Sequence, residues 1–191
     1  MRISSSDKRM RRVGLLLLLM VGVVDAAELR NIDVDRIDRR YVLTSEVWFD
    51  TNVEAIYAVF LDYDLTSRFS SFIVESRNLE PDAAGQRRFY IRNHGCVWFF
   101  CRSFERSGYV EHEPFVVIRS IADAEISDFH SSLESWRFQS DGTGTLVVYE
   151  FDFEPKFWIP PLIGPYVLKR KLQNDSARAL DRIEAIAQDK E

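Results

Sequence analysis

A chain of 191 residues that is 46% hydrophobic and 13% aromatic carries enough apolar material for one packed domain and too little length for two comfortable ones. Eight Gly and six Pro exclude a long disordered chain. A net charge of −5 argues against nucleic acid, whose phosphates demand an excess of Lys and Arg, and against nonspecific adhesion to anionic membranes.

The first segment reads as an address. Arg2, Lys8, Arg9, Arg11 and Arg12 form a basic start, and Val13 to Val24 an apolar run. Small residues end it, with Ala26-Ala27 as the expected cut. This is the pattern of a secretory signal peptide over residues 1–26. About 12 apolar residues are too few to span a bilayer, which needs about 20. The segment carries +3, which leaves −8 on the rest. The reading is an exported protein of a bacterial periplasm.

Residues 27–40 are polar and charged and read as an N-terminal lead-in or short arm. Tyr41 to Phe49 alternates as a strand. Thr51-Asn52-Val53-Glu54 has the form of a capping box, so a short helix is expected to about Leu61, with Ile56, Val59 and Phe60 inward. Strands are then expected at Phe72 to Leu79, Gln86 to Asn93, Val97 to Phe104, Val110 to Ile121, Asp128 to Phe138 and Leu146 to Phe153. Gly85, Gly95, Ser107-Gly108 and Gly142 mark the expected breaks. That makes seven strands.

The chain closes on Phe157-Trp158-Ile159-Pro160-Pro161 and a long run without Gly or Pro. Pro165 suits a first helical turn, and Leu168, Leu172, Ala179, Ile183 and Ile186 recur at helical spacing to Gln188. Such a helix cannot bury its stripe alone. The expected architecture is therefore α+β: a curved antiparallel sheet around a long C-terminal helix. Strand alternation aims Val147, Tyr149, Phe151 and Phe153 at one face, opposite Glu150 and Asp152. Glu134 shares parity with Trp136 and Phe138. Arg102 shares parity with Trp98, Phe100 and Phe104, and Arg119 with Phe115 and Val117. The strand at Val97 is apolar on both faces, and the N-terminal arm is expected to cover its outer side.

This order of elements resembles the START-like, helix-grip superfamily, especially the polyketide cyclase/dehydrase and coenzyme Q-binding branch. The residues carrying the resemblance are Val47 to Phe60, Gly144 to Phe153, and Ile163-Gly164-Pro165 leading into the helix. It covers residues 41–188. The resemblance implies a cavity between sheet and helix that holds a lipid, quinone or polyketide-like ring. The expected lining is Trp98, Phe100, Arg102, Phe115, Arg119, Trp136, Phe138, Tyr149 and Phe151 from the sheet, with Tyr166 and Leu172 from the helix. Trp158 is expected on a hydrophobic lip that touches a membrane transiently.

Chemistry is less legible. His94, His112 and His130 lack metal-ligand spacing, and no metal or other cofactor is expected. Cys96 and Cys101 form a disulfide only if the chain folds back between them, because five residues of extended strand separate Cα atoms by about 16 Å. Two free thiols and an intermolecular link are the alternatives. A buried charge must be paired, so an inward Glu134 is expected to meet Arg119 or Arg102. That pair would orient a polar head group or act as acid and base. Three readings follow: a binding protein for a hydrophobic small molecule, a cyclase or dehydratase using Glu134, and a protein-interaction domain with a solid core.

Overall fold

The computed structural model describes residues 27–97, 100–159 and 164–190, so the expected signal peptide lies outside it. In chain order the elements are β1 (Glu28–Ile37), β2 (Arg40–Phe49), α1 (Val53–Leu61), α2 (Tyr63–Thr66), β3 (Ile73–Leu79), β4 (Arg87–Val97), β5 (Phe100–Glu113), β6 (Val117–Ala122), β7 (Phe129–Asp141), β8 (Gly144–Pro155) and α3 (Gly164–Gln188). The strands form one curved, unclosed antiparallel sheet in the order β1-β2-β8-β7-β6-β5-β4-β3. This is the expected helix-grip arrangement. It has eight strands rather than seven, because the charged lead-in is itself a strand. Its polarity is what an edge strand requires, since exposed edge hydrogen-bonding groups invite association unless charges blunt them. β1 pairs with β2 at the edge opposite β3, with β2, β8, β7 and β6 between it and β5, so it does not cover the strand expected from Val97.

The helix α1 begins one residue later than the capping-box reading. The Asn52 carboxamide oxygen accepts from the Ala55 N–H at 2.9 Å. The Thr51 carbonyl instead accepts from the Thr145 hydroxyl at 2.7 Å. Ala55, Ile56, Tyr57, Val59 and Phe60 of α1 are buried. They join Val47, Phe49, Phe138 and Val147 of the sheet and Leu180, Ile183 and Ala187 of α3 in one core. A second cluster lies around Tyr41, Phe129 and Phe153, with Phe104, Phe151, Phe157 and Ile159 packed on it.

α3 carries one buried charge. The Glu184 carboxylate accepts from the Ala27 N–H at 2.8 Å and the Asp50 N–H at 2.7 Å. The helix is thereby tied to the start of the first strand and the end of the second. Near its other end, Lys169 pairs with Asp33 of β1 at 2.7 Å. Among the described residues, no helix is long and apolar enough to cross a membrane.

β5 differs most from expectation. It runs through Ser107-Gly108 without a break. Gly108 is there for space: a Cβ would lie 2.0 Å from the Ile121 carbonyl oxygen. The strand expected over Val110 to Ile121 is in fact the end of β5, a turn, and β6. Phe115 takes a left-handed φ of 62° in that turn, yet the even-numbered residues face inward on both sides of it, Val110 on β5 and Ile118 and Ser120 on β6. The β4–β5 hairpin also folds the chain back between the two cysteines. Cys96 lies opposite Cys101 with Cα atoms 3.9 Å apart, and the two form a disulfide.

Candidate functional site

Alternation along β7 aims Glu134, Trp136 and Phe138 at the face that meets the helices, and alternation along β8 aims Val147, Tyr149 and Phe151 there too. The register sets Trp136 opposite Tyr149 and Glu134 opposite Phe151. The Trp136 and Tyr149 rings stack at 3.8 Å. From α1, Phe60 packs on Trp136 with ring centres 4.6 Å apart.

β6 sets Ser120 opposite Glu134, and β5 brings in Arg106. Arg106 is 3% exposed and Glu134 8% exposed, so this is a buried ion pair that keeps a small opening. The guanidinium donates to Glu134 Oε2 at 3.0 Å, to the Ser120 hydroxyl at 3.0 Å and to the Ser132 hydroxyl at 2.9 Å. Three of the five guanidinium N–H groups are engaged in these bonds. The Ser120 hydroxyl donates to Glu134 Oε2 at 2.9 Å, and the Tyr149 hydroxyl to Oε1 at 2.8 Å. The cation lies 4.5 Å from the Phe151 ring centre and 5.4 Å from that of Phe89. Each charge is thus compensated by an opposite charge, by hydrogen bonds and by aromatic faces, as burial of an ion requires.

Two tyrosines border this network. Burial first, and the Glu134 carboxylate second, push the Tyr149 hydroxyl well above its ordinary pKa. The same two causes, in the same order, raise Tyr63, which hydrogen-bonds Ser120. Both therefore keep their protons and act as donors at neutral pH. The folded state holds these protons more tightly than the unfolded chain, whose tyrosines titrate near pH 10. Their stabilisation is accordingly full below pH 10 and is lost as pH rises above it. Ultraviolet titration of the seven tyrosines should show Tyr63 and Tyr149 ionising only when the fold opens. All seven titrating near pH 10 in a folded protein would contradict this wiring.

The partner of Glu134 is thus Arg106, in place of Arg119 or Arg102. Arg119 is exposed and, paired with Ser135, occupies the outer face. Val117 and Arg119 do share a face of β6, as expected, but Ile118 and Ser120, opposite Trp136 and Glu134, hold the inner one. Arg102 does share a face with Arg106, but it is exposed, with its guanidinium 4.9 Å from the Phe157 ring centre. Arg106 was findable: it lies two residues beyond Phe104 on the same face, hidden by the assumed stop at Ser107-Gly108.

The other expected lining residues scatter. Trp136, Tyr149 and Phe151 come together, each partly exposed. Phe138 is buried in the core against Tyr57 and Phe60. Phe115 is exposed at the turn, its ring on Tyr57. Tyr166 is exposed and its hydroxyl accepts from Arg170 at 3.2 Å. Leu172 is half-buried on α3. Trp98 and the Phe100 side chain lie outside the described residues. Glu150 and Asp152 point outward as expected, paired with Arg137 and Arg40.

Residues 41–188 match the family model described as polyketide cyclase / dehydrase and lipid transport. No curated protein matches. Similar solved structures include a STAR-related lipid transfer protein from Xanthomonas axonopodis. It is 13% identical, with 86% of this chain and 99% of that one covered, at a TM-score of 0.61. A START superfamily protein from Mycobacterium smegmatis is 17% identical over 76% and 98% of the two chains, at 0.60. An aromatase/cyclase from a Streptomyces species is 14% identical over 78% and 94%, at 0.56. At these identities the likeness establishes the fold.

Proposed function

Because the chain belongs to the polyketide cyclase/dehydrase and lipid-transport family, we propose that it is an exported carrier that holds one lipid, quinone or polyketide-like molecule between sheet and α3. The observation that carries this reading is the exposure of Trp136, Tyr149 and Phe151. They face inward from the middle of an eight-stranded sheet, yet remain partly open. The helix α3 packs chiefly on β1 and α1, away from them. Aromatic faces left open beside a buried polar network suit a ring or acyl chain with one polar end. The polar end lies toward Arg106, whose remaining N–H groups are its donors.

The same wiring favours binding over acid–base work at Glu134. A general base needs a free lone pair aimed at the substrate proton. Oε2 of Glu134 already accepts from Arg106 and Ser120 and Oε1 from Tyr149, which fills three of the carboxylate's roughly four acceptor sites.

Trp158 is 74% exposed and Tyr166 64% exposed near the start of α3. In this reading they form the lip that meets a membrane during loading. Native mass spectrometry of the protein purified from its exported compartment should reveal an apolar passenger near one to one. Trp158→Asp should slow uptake from vesicles without altering the fold. A clean ligand-free mass, with no uptake from a lipid and quinone panel, would overturn the carrier reading.

A further inference from the structure

The tip of the β4–β5 hairpin gathers three metal-ligating side chains that no linear spacing announces. His94 and Cys96 are two apart on one strand, so they share a face. Cys101 lies directly opposite Cys96, and Ser103 directly opposite His94. The hairpin thus converts a His-x-Cys-x4-Cys spacing into a compact triad. The three donor atoms all lie within 4.8 Å of one another, and all three residues are exposed. This face is the opposite of the one bearing Gly95, Arg102 and Arg106, so the triad is separate from the Arg106–Glu134 network.

The histidine is already oriented. Its Nδ1 hydrogen-bonds the Ser103 hydroxyl at 3.0 Å, which leaves Nε2 aimed at Cys96 Sγ, 4.0 Å away. Metal-bound histidines are typically held in this way, with the distal nitrogen fixed by a neighbour. A tetrahedral zinc ion with Zn–S of about 2.3 Å and Zn–N of about 2.0–2.1 Å would place an imidazole nitrogen and a thiolate roughly 3.6 Å apart. The His94–Cys96 span is close to that before any movement.

We propose that this hairpin is a redox-gated site for a thiophilic closed-shell cation such as Zn(II), formed when the Cys96–Cys101 bridge is reduced. A dithiol reductant supplies two electrons and two protons: the S–S bond breaks, two thiols form, and the dithiol closes to its own disulfide. Zn(II) then binds both sulfurs as thiolates, releasing two protons, and takes His94 Nε2 as third ligand. Water fills the fourth position. Thiol–disulfide exchange with an oxidised dithiol runs the step backwards: the two sulfurs give up two electrons and form the S–S bond, the oxidant takes up those electrons and two protons and leaves as a dithiol, and the ion departs.

The test uses the full-length exported chain, reduced and freed of reductant under anaerobic conditions. Zn(II) is titrated in competition with a chelating dye, and Cd(II) is used to read the thiolate-to-metal ultraviolet band. One equivalent should bind to the reduced protein and none to the oxidised one. His94→Ala should weaken binding by at least about tenfold, and Ser103→Ala by about tenfold, since outer partners of metal ligands typically matter at this level. Circular dichroism before and after reduction reports whether the fold survives. Absence of binding to the reduced protein overturns the proposal, whether or not the fold survives. So does binding that is indifferent to both His94→Ala and Ser103→Ala, which would mark ordinary capture by two loose thiols.

Discussion

Replacing Arg106 with Met, or Glu134 with Gln, should each cost the fold about 3–5 kcal/mol, because either change leaves one uncompensated charge in the interior. The double variant, Arg106→Met with Glu134→Gln, should recover most of that loss. It removes both charges, and the introduced carboxamide still offers an acceptor to Tyr149 and a donor to Ser120, the neighbours of the native carboxylate. The comparison is a double-mutant cycle in urea, with the two singles, the double and the wild type. Near-additive losses would show that Arg106 and Glu134 do not act as a pair. Single losses below about 1 kcal/mol would place them at a wetted surface, against their burial.

The same double variant yields the larger functional effect. If a ligand's polar end hydrogen-bonds the guanidinium, removing that cation while keeping the fold should weaken binding by about 1.5–3 kcal/mol, or roughly ten- to a hundredfold. Ligand affinity, read from quenching of Trp136 fluorescence or from native mass spectrometry, decides it. Apolar analogues without a head group should bind the double variant and the wild type alike. Equal loss for both ligand types would mean the cavity itself had changed. Equal affinity for the polar ligand would make the network a purely structural device, leaving the aromatic wall to hold the ligand alone.

These two experiments probe different properties of one cluster. Burial makes a charge pair costly to break but not necessarily stabilising to have. A pair retained on the inner face beside partly open aromatic rings calls for another reason, and in the proposed reading recognition of a polar ligand atom supplies one.

Much of the architecture was legible because it is written locally. Period-two alternation marks β2, β3, β7 and β8, and it assigned Tyr149, Phe151, Trp136 and Glu134 to the inner face without reference to any partner strand. Helical spacing and Pro165 marked α3. Its buried stripe falls at Leu180, Ile183 and Ala187, partly offset from the expected one, because the register of the helix on its neighbours is not contained in its own periodicity. Glu184, a charged residue next to that stripe, is buried. Nothing near it in sequence reveals the unpaired N–H groups of Ala27 and Asp50 that it satisfies.

What the chain by itself determined, then, is every feature whose cause lies within about one turn or one strand: the elements, their amphipathic faces, and the need of an inward Glu134 for a cation. What only the tertiary structure decided is which groups meet. Gly108 reads as a break in sequence and proves to be clearance for the Ile121 carbonyl, so a single misplaced stop hid Arg106. β6 is apolar on both faces, with Val117 opposite Arg137 and Ile118 opposite Trp136, so alternation alone sent Arg119 to the wrong one. The turn of the β4–β5 hairpin closed a disulfide that extended spacing argued against. In each case the deciding quantity is the register between strands, a long-range property fixed by packing of the whole sheet, to which alternation within one strand is blind.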